Sequence, residues 1–405
     1  MRAAEDVSVY RFGSFNLDVP ERRLVREGTE IPLPHKVFTT LRLLVENAGR
    51  LMTREQLLEG IWPDVTIEEG NLNHLISILR KALGEQATGQ SYIETVPRVG
   101  YRFVAPVTEI ASAPETQTKI GPTGQRSRQE IRFCVTGDKV SIAYATTGAG
   151  YPFVKAANWL NHLDFEWDSP VWRHWLRELG KHHRIIRYDE RGNGLSDWDV
   201  EEISFEAWVH DLETVVDTSG VEKFALMGIS QGGPVAIAYA VRHPERVSHL
   251  ILCGAYARGW NHRGWPEGLE ARRALETLVR LDWGRNNPAF SQVFTNIYIP
   301  ENCSPEHQRW YSDLRRMSAS AENAARIMMA CDDIDVRSLL CSVAVPTIVF
   351  HSDRDRAVPI EEGRFLAAEI PNARFVPLSS ANHLLLEEEP AWGKFLEELA
   401  AFLHW

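Results

Sequence analysis

The sequence predicts an α/β protein built in two parts, and three observations predict it. Residues 106–130, PVTEIASAPETQTKIGPTGQRSRQE, are rich in Ser, Thr, Pro, Gly and Gln and nearly devoid of large apolar side chains, a composition that cannot offset the entropy of ordering. Ahead of this segment, three helical patterns are followed by two short strand-like runs. Behind it, short apolar runs alternate with longer helical ones, as in a sheet layered with helices. The expected division is therefore 1–107, a flexible linker over 108–130, and 131–405, each block a plausible domain size.

The first block opens with strand-like pieces at 7–15 and 23–25, turning through REG at 26–28 into 31–33. In HKVFTTLRLLVENAG (35–49), Val37, Phe38, Leu41, Leu44 and Val45 recur at helical spacing and Gly49 supplies a stop. Thr53, with Gln56 three residues on, is a capping-box pattern that opens a second helix, ended by Trp62 and Pro63. A third helix is expected over about 67–83. Leu72, Leu75, Ile76, Leu79 and Leu83 make its apolar stripe, leaving Asn73, His74, Ser77, Arg80 and Lys81 on the opposite face. Runs 92–96 and 100–104, joined through Pro97, Arg98 and Val99, read as a hairpin.

Three helices closed by a hairpin are the layout of a winged helix-turn-helix. GRLMTREQLL (49–58), IW (61–62), LISILRKALG (75–84), YIETV (92–96) and GYRF (100–103) resemble the DNA-binding domain of the OmpR/PhoB and CadC transcription regulators over nearly all of residues 8–107. The resemblance implies that the third helix enters the major groove of promoter DNA. Asn73, Ser77 and Arg80 then face the bases, while Lys81, Arg98 and Arg102 reach phosphates or the groove edge. So few basic residues on the helix imply modest affinity per monomer and a homodimer on repeated half-sites.

The formal charge of −11 at first argues against a nucleic-acid partner, because phosphate binding draws on Lys and Arg. Its distribution removes the objection. Residues 1–107 hold 13 Lys+Arg and 14 Asp+Glu, so a net −10 falls on residues 108–405.

In the second block, strands are expected at 132–135, 141–145, 152–157, 184–188, 223–227, 247–252, 347–350 and 374–377. GISQG (228–232) directly follows the strand FALM and precedes the helical run GPVAIAYA. Its glycines let the backbone turn tightly enough to present the Ser230 hydroxyl above the sheet. A serine attacks carbonyls poorly unless a base removes its proton, so a histidine oriented by a carboxylate is required. Both occur downstream: HSDRDRAVP (351–359) holds Asp353 and Asp355 after one late strand, and SSANHL (379–384) holds His383 after the next.

The order Ser, Asp, His, together with DERGNGLS (189–196), resembles the α/β-hydrolase superfamily over residues 131–405. The resemblance implies Ser230 as nucleophile, His383 as general base and then acid, and Asp355 as the orienting carboxylate, because DRAVP (355–359) matches the acid loop of the family. It also implies an oxyanion hole from the N–H groups of Gln231 and Trp159. Relatives commonly carry His-Gly where this chain has Ala157, Asn158 and Trp159. About 90 residues between Cys253 and Cys341 exceed one crossover, and helical stretches at 269–281 and 306–329 suggest a cap over about 257–340. Trp159, Trp167, Trp260, Trp265, Trp283 and Trp310 lie in or beside it, serving either an apolar pocket or the packing of cap on core.

The expected function is a one-component regulator whose hydrolase domain binds, and turns over, a small ester- or lactone-like signal. Two alternatives stand beside it, a serine hydrolase with an accessory DNA-binding head and a non-catalytic ligand receptor. No metal or nucleotide cofactor is expected, since HExxH, P-loop and dinucleotide patterns are missing. The five cysteines are odd in number and lack CxxC spacing, so they are expected as reduced thiols. No apolar run reaches ~18 residues and the start MRAAED is unlike a secretory leader, so the expected site of action is the cytoplasm, with no membrane partner.

Overall fold

The computed structural model describes residues 7–19, 23–31, 33, 35–61, 69–85, 91–111, 129–283, 285 and 287–405. The chain divides into two compact units, 1–132 and 133–405.

The first unit contains β1 (Val7–Phe12), β2 (Phe15–Asp18), β3 (Arg23–Arg26), β4 (Thr29–Ile31), α1 (His35–Glu46), β5 (Leu51–Thr53), α2 (Arg54–Ile61), α3 (Glu69–Ala82), β6 (Ile93–Val96), β7 (Gly100–Phe103) and β8 (Thr108–Ala111). Two sheets result, one ordered β4-β3-β2-β1-β8 and one ordered β5-β7-β6. The capping box forms in full: Gln56 N–H donates to Thr53 Oγ1 at 3.2 Å and Thr53 N–H to Gln56 Oε1 at 2.9 Å. The apolar stripe of α3 is buried as its spacing requires, and Leu72 and Leu79 join Leu41, Phe12 and Phe103 in one core. Trp62, Pro63 and the expected start of the third helix at 67–68 lie outside the described residues.

One boundary needs correction. Residues 108–111 are strand and not linker: β8 pairs antiparallel with β1 and meets backbone groups that would otherwise form an open edge. Residues 112–128 lie outside the described residues. Glu130 already belongs to the next strand.

That strand, β9 (Glu130–Val135), opens the second sheet. It is followed by β10 (Ser141–Thr147), β11 (Tyr151–Lys155), α4 (Leu163–Trp167), α5 (Arg173–Gly180), β12 (His183–Tyr188), α6 (Phe205–Ser219), β13 (Phe224–Ile229), α7 (Gly232–Arg242) and β14 (Val247–Cys253). Among the described residues four α-helices intervene, α8 (Pro266–Asp282), α9 (Pro288–Tyr298), α10 (Pro305–Ser318) and α11 (Ala321–Asp332). The chain closes with β15 (Thr347–Ser352), α12 (Ile360–Glu369), β16 (Arg374–Leu378) and α13 (Pro390–Leu403). Strand order is β16-β15-β14-β13-β11-β12-β10-β9, parallel from β16 to β12 with β10 antiparallel to β12. β13 is buried at every position, as a central strand covered on both faces must be.

The helix expected over 306–329 is two helices. Ala319 is extended and Ser320 caps the next helix by accepting from Asn323 N–H at 3.1 Å. Two of the cap tryptophans pack on the core: Trp283 stacks on Trp159 at 5.5 Å, and Trp310 on Phe165 at 5.7 Å.

Candidate active site and DNA-facing surface

Ser230 sits in the turn between β13 and α7 with φ +51°, the left-handed region that a non-glycine residue rarely occupies. Its neighbours must be glycine. A Cβ on Gly228 would lie 2.6 Å from the carbonyl oxygen of Gly232, and one on Gly232 would lie 2.6 Å from that of Ala157. The late loops bring the other two residues together. His383 Nδ1 and Asp355 Oδ2 are 2.6 Å apart and both side chains are buried. The second oxygen of Asp355 accepts from the N–H groups of Ala357 at 2.8 Å and Val358 at 3.0 Å, which fixes the carboxylate. Asp353 points elsewhere, accepting from Ser380 N–H at 3.2 Å at an exposed position. His383 N–H donates to Tyr298 O at 2.8 Å, tying the loop to the end of α9.

His383 Nε2 is buried and has no hydrogen-bond partner among the described residues, so Ser230 is not bonded to it in this state. Such bonds are often long before a ligand binds. Trp159 N–H, the expected second oxyanion donor, is already engaged: it donates to Gln231 Oε1 at 3.2 Å. The other end of that amide, Gln231 Nε2, donates to Glu190 Oε2 at 3.3 Å. Glu190 is buried, and burial together with the charge of Asp211 pushes its carboxyl up to about 8. Trp159, Ser230 and Gln231 line one cleft with Tyr256, Trp260, Arg263, Arg272, Tyr298, Cys331 and Asp332.

The first unit presents a second surface. Ser77 and Lys81 are exposed on α3, and Arg98 is exposed with φ +65° in the turn between β6 and β7. Arg80, Asn73 and Arg102 are engaged within the unit. Arg80 Nη2 donates to Ile93 O at 2.9 Å and Thr95 Oγ1 at 2.7 Å, and its Nε lies 3.4 Å from Glu85. Asn73 Oδ1 accepts from Tyr101 Oη at 2.7 Å and Arg54 Nη1 at 3.0 Å. Arg102 pairs with Glu94 at 3.0 Å. The expectation that Arg80 extends to the bases is thus corrected for this state, because its guanidinium clasps the hairpin to α3.

Residues 28–103 match the family model "Transcriptional regulatory protein, C terminal", and residues 160–276 match "alpha/beta hydrolase fold". The chain joins a DNA-binding transcription-regulator domain of OmpR/PhoB type to an α/β-hydrolase domain. The AB hydrolase superfamily protein YisY of Bacillus subtilis is 29% identical over 261 residues, covering 64% of this chain and 94% of the relative. The 3-oxoadipate enol-lactonase 1 of Acinetobacter baylyi is 26% identical, covering 58% of this chain and 84% of its own. Among solved structures, an esterase from Thermogutta terrifontis is 27% identical with a TM-score of 0.54, covering 68% of this chain and 98% of that one. An esterase from Exiguobacterium antarcticum, at 24% identity, TM-score 0.58 and coverage of 67% and 99%, shows likeness of fold.

In the hydrolase domain, the residues that sequence reasoning missed are those brought in from a distance. Glu190 sits inside the DERGNGLS turn, where Asp189 accepts from the N–H groups of Leu163 and Leu195 at 2.9 and 2.8 Å, and Arg191 grips Asp211 through two bonds of 2.9 and 2.7 Å. The turn motif was a usable signal for Glu190. Nothing local marked Arg263 or Arg272, which enter the cleft from the cap. The five cysteines are free thiols, three of them buried, and no described helix is long and apolar enough to cross a membrane.

Proposed function

We propose that the protein is a one-component transcription regulator whose hydrolase domain binds and hydrolyses a small ester- or lactone-like signal in the cytoplasm. The observation that carries the chemistry is the 2.6 Å contact of His383 Nδ1 with Asp355 Oδ2, in a domain that holds Ser230 at a left-handed elbow. Asp355 holds the imidazole with Nδ1 protonated and leaves Nε2 to accept the Ser230 proton as Oγ attacks the carbonyl carbon. The same proton then passes to the leaving alkoxide, and water repeats the sequence to release the acid and restore Ser230. The developing oxyanion takes the N–H of Gln231 and, once the Gln231 side chain withdraws, that of Trp159.

The head reads promoter DNA as a homodimer on repeated half-sites, through α3 with Ser77 and Lys81 and through the wing with Arg98. Asn73, Arg80 and Arg102 reach DNA only by exchanging their present partners: Asn73 and Arg80 first hold the wing against α3, and Arg102 pairs across the hairpin with Glu94. The signal is conveyed by differential affinity of the DNA-bound and free states for the ligand.

A second reading has its own support. Trp159 N–H is capped by Gln231, and Ser230 is not bonded to His383, as suits a receptor that binds without turnover. The reading of a hydrolase with an accessory head is separated by DNA. In footprinting over a salt titration, the regulator protects a specific promoter segment, and adding an ester to the Ser230→Ala chain alters that protection. Equal protection of all sequences removes the promoter-reading role.

A further inference from the structure

The cleft that holds Ser230 also holds two guanidinium groups and one carboxylate. Arg272 and Asp332 neutralise one another, with Nε 2.9 and 3.1 Å from the two carboxylate oxygens. Arg258, just behind, pairs with Glu362 at 3.1 Å. Arg263 has no such partner. Among the described residues, no carboxylate lies within ion-pair distance of it, its Nε donates only to Arg258 O at 3.3 Å, and its Nη1 is buried with no hydrogen-bond partner. Glu362 and Asp332 act on this guanidinium only from beyond ion-pair distance, and burying a guanidinium edge that no carboxylate touches is unfavourable unless something else compensates it.

Aromatic rings hold this guanidinium in place. Its Cζ lies 4.5 Å from the centroid of Trp260 and 5.4 Å from that of Tyr256, and both rings line the same cleft, as do Trp159 and Tyr298. An arginine fixed by stacking is pre-organised for a planar, doubly accepting anion, since little rotamer freedom remains to be lost on binding. One unpaired guanidinium matches one negative charge. The planar anion of single charge is a carboxylate, whereas a phosphate dianion would exceed it.

We infer that the ligand of this cleft is an ester or lactone that itself carries a carboxylate, with Arg263 as the group that binds the carboxylate, Arg272 beside it, and the aromatic walls holding an apolar body between that anchor and Ser230. This rests on the proposed hydrolytic reading for the position of the ester carbonyl. Arg263 is a specificity-determining residue and takes no part in proton transfer.

The test uses the full chain carrying Ser230→Ala, which binds without turnover, and a series of monomethyl esters of straight-chain dicarboxylic acids from succinate to suberate, each beside its dimethyl ester. Calorimetry reads the Kd of each. The best monoester is expected to bind at least about tenfold tighter than its diester, in keeping with a hydrogen bond to a charged group. Adding Arg263→Gln should remove that preference while leaving diester binding in place. Diesters binding as tightly as monoesters, no binding by any member, or an equal loss of both ligands in Arg263→Gln would each overturn the inference. If Arg263→Gln does not give a native melting transition, the mono-to-diester ratio in the Ser230→Ala chain decides alone. Fluorophosphonate labelling of the wild-type chain reads the hydrolytic proposal separately. Carboxylate preference without labelling upholds the anchor and removes the nucleophile, whereas labelling without preference removes the anchor alone.

Discussion

Gln231 Oε1 accepts the backbone N–H of Trp159 at 3.2 Å, so the residue that follows the proposed nucleophile covers the donor its own backbone is meant to work with. Its far end is held by Glu190 at 3.3 Å. A carbonyl oxygen entering the site must displace this amide or make do with one donor. The resting geometry therefore leaves the site one oxyanion donor short of the two that the proposed hydrolysis uses.

Gln231→Met keeps the volume of the side chain and removes the amide. Freeing one neutral hydrogen-bond donor is worth about 1 kcal/mol, so kcat/KM on p-nitrophenyl acetate should rise about fivefold. A fall or no change in steady-state assays would show that the amide does not obstruct the site.

Asp355→Asn should lower kcat by about 10⁴-fold with the fold intact, because the imidazole then settles in the wrong tautomer. Asp353→Asn, whose carboxylate meets Ser230 and His383 nowhere, should stay within about tenfold. Comparable losses from the two variants would contradict the assignment of Asp355.

Glu190 has a pH consequence. Its carboxyl is pushed up to about 8 in the folded chain, chiefly by burial. A carboxyl raised on folding contributes stability that is fully present below its ordinary value of 4.5 and lost as pH rises through the folded value. Melting temperature should therefore fall between pH about 5 and about 9 more steeply in the wild type than in Glu190→Gln. Asp189, raised to about 7 by burial, acts in the same direction but is common to both chains. Parallel profiles would show that Glu190 is not held neutral.

In the head, Arg80→Ala should lower the melting temperature by the equivalent of about 1–2 kcal/mol, since it releases Ile93 O, Thr95 and Glu85 together. Arg98→Ala should leave melting unchanged and reduce the slope of log K against log salt by about 1. The reverse pattern would return Arg80 to direct DNA contact.

Much of this was legible in sequence where the determinants are local. The stripe from Leu72 to Leu83, the Thr53–Gln56 box and the GISQG turn each place their signal within a few residues, and all three appear in the structure as their spacing requires. The strands β5 and β8 are only three and four residues long and exist because a distant strand offers an edge, so no periodicity announces them. The contacts of Gln231 with Trp159 and Glu190 span 72 and 41 residues, and Arg80 turns inward because β6 offers acceptors that helical spacing alone leaves out of view.

The most direct measurement is fluorophosphonate labelling of the full chain followed by intact-mass and peptide mass spectrometry. One adduct per chain on Ser230, absent in Ser230→Ala and strongly slowed in His383→Ala, is the predicted result. A folded wild-type chain that remains unlabelled at saturating probe, or one labelled at another residue, would contradict the Ser230, His383, Asp355 mechanism.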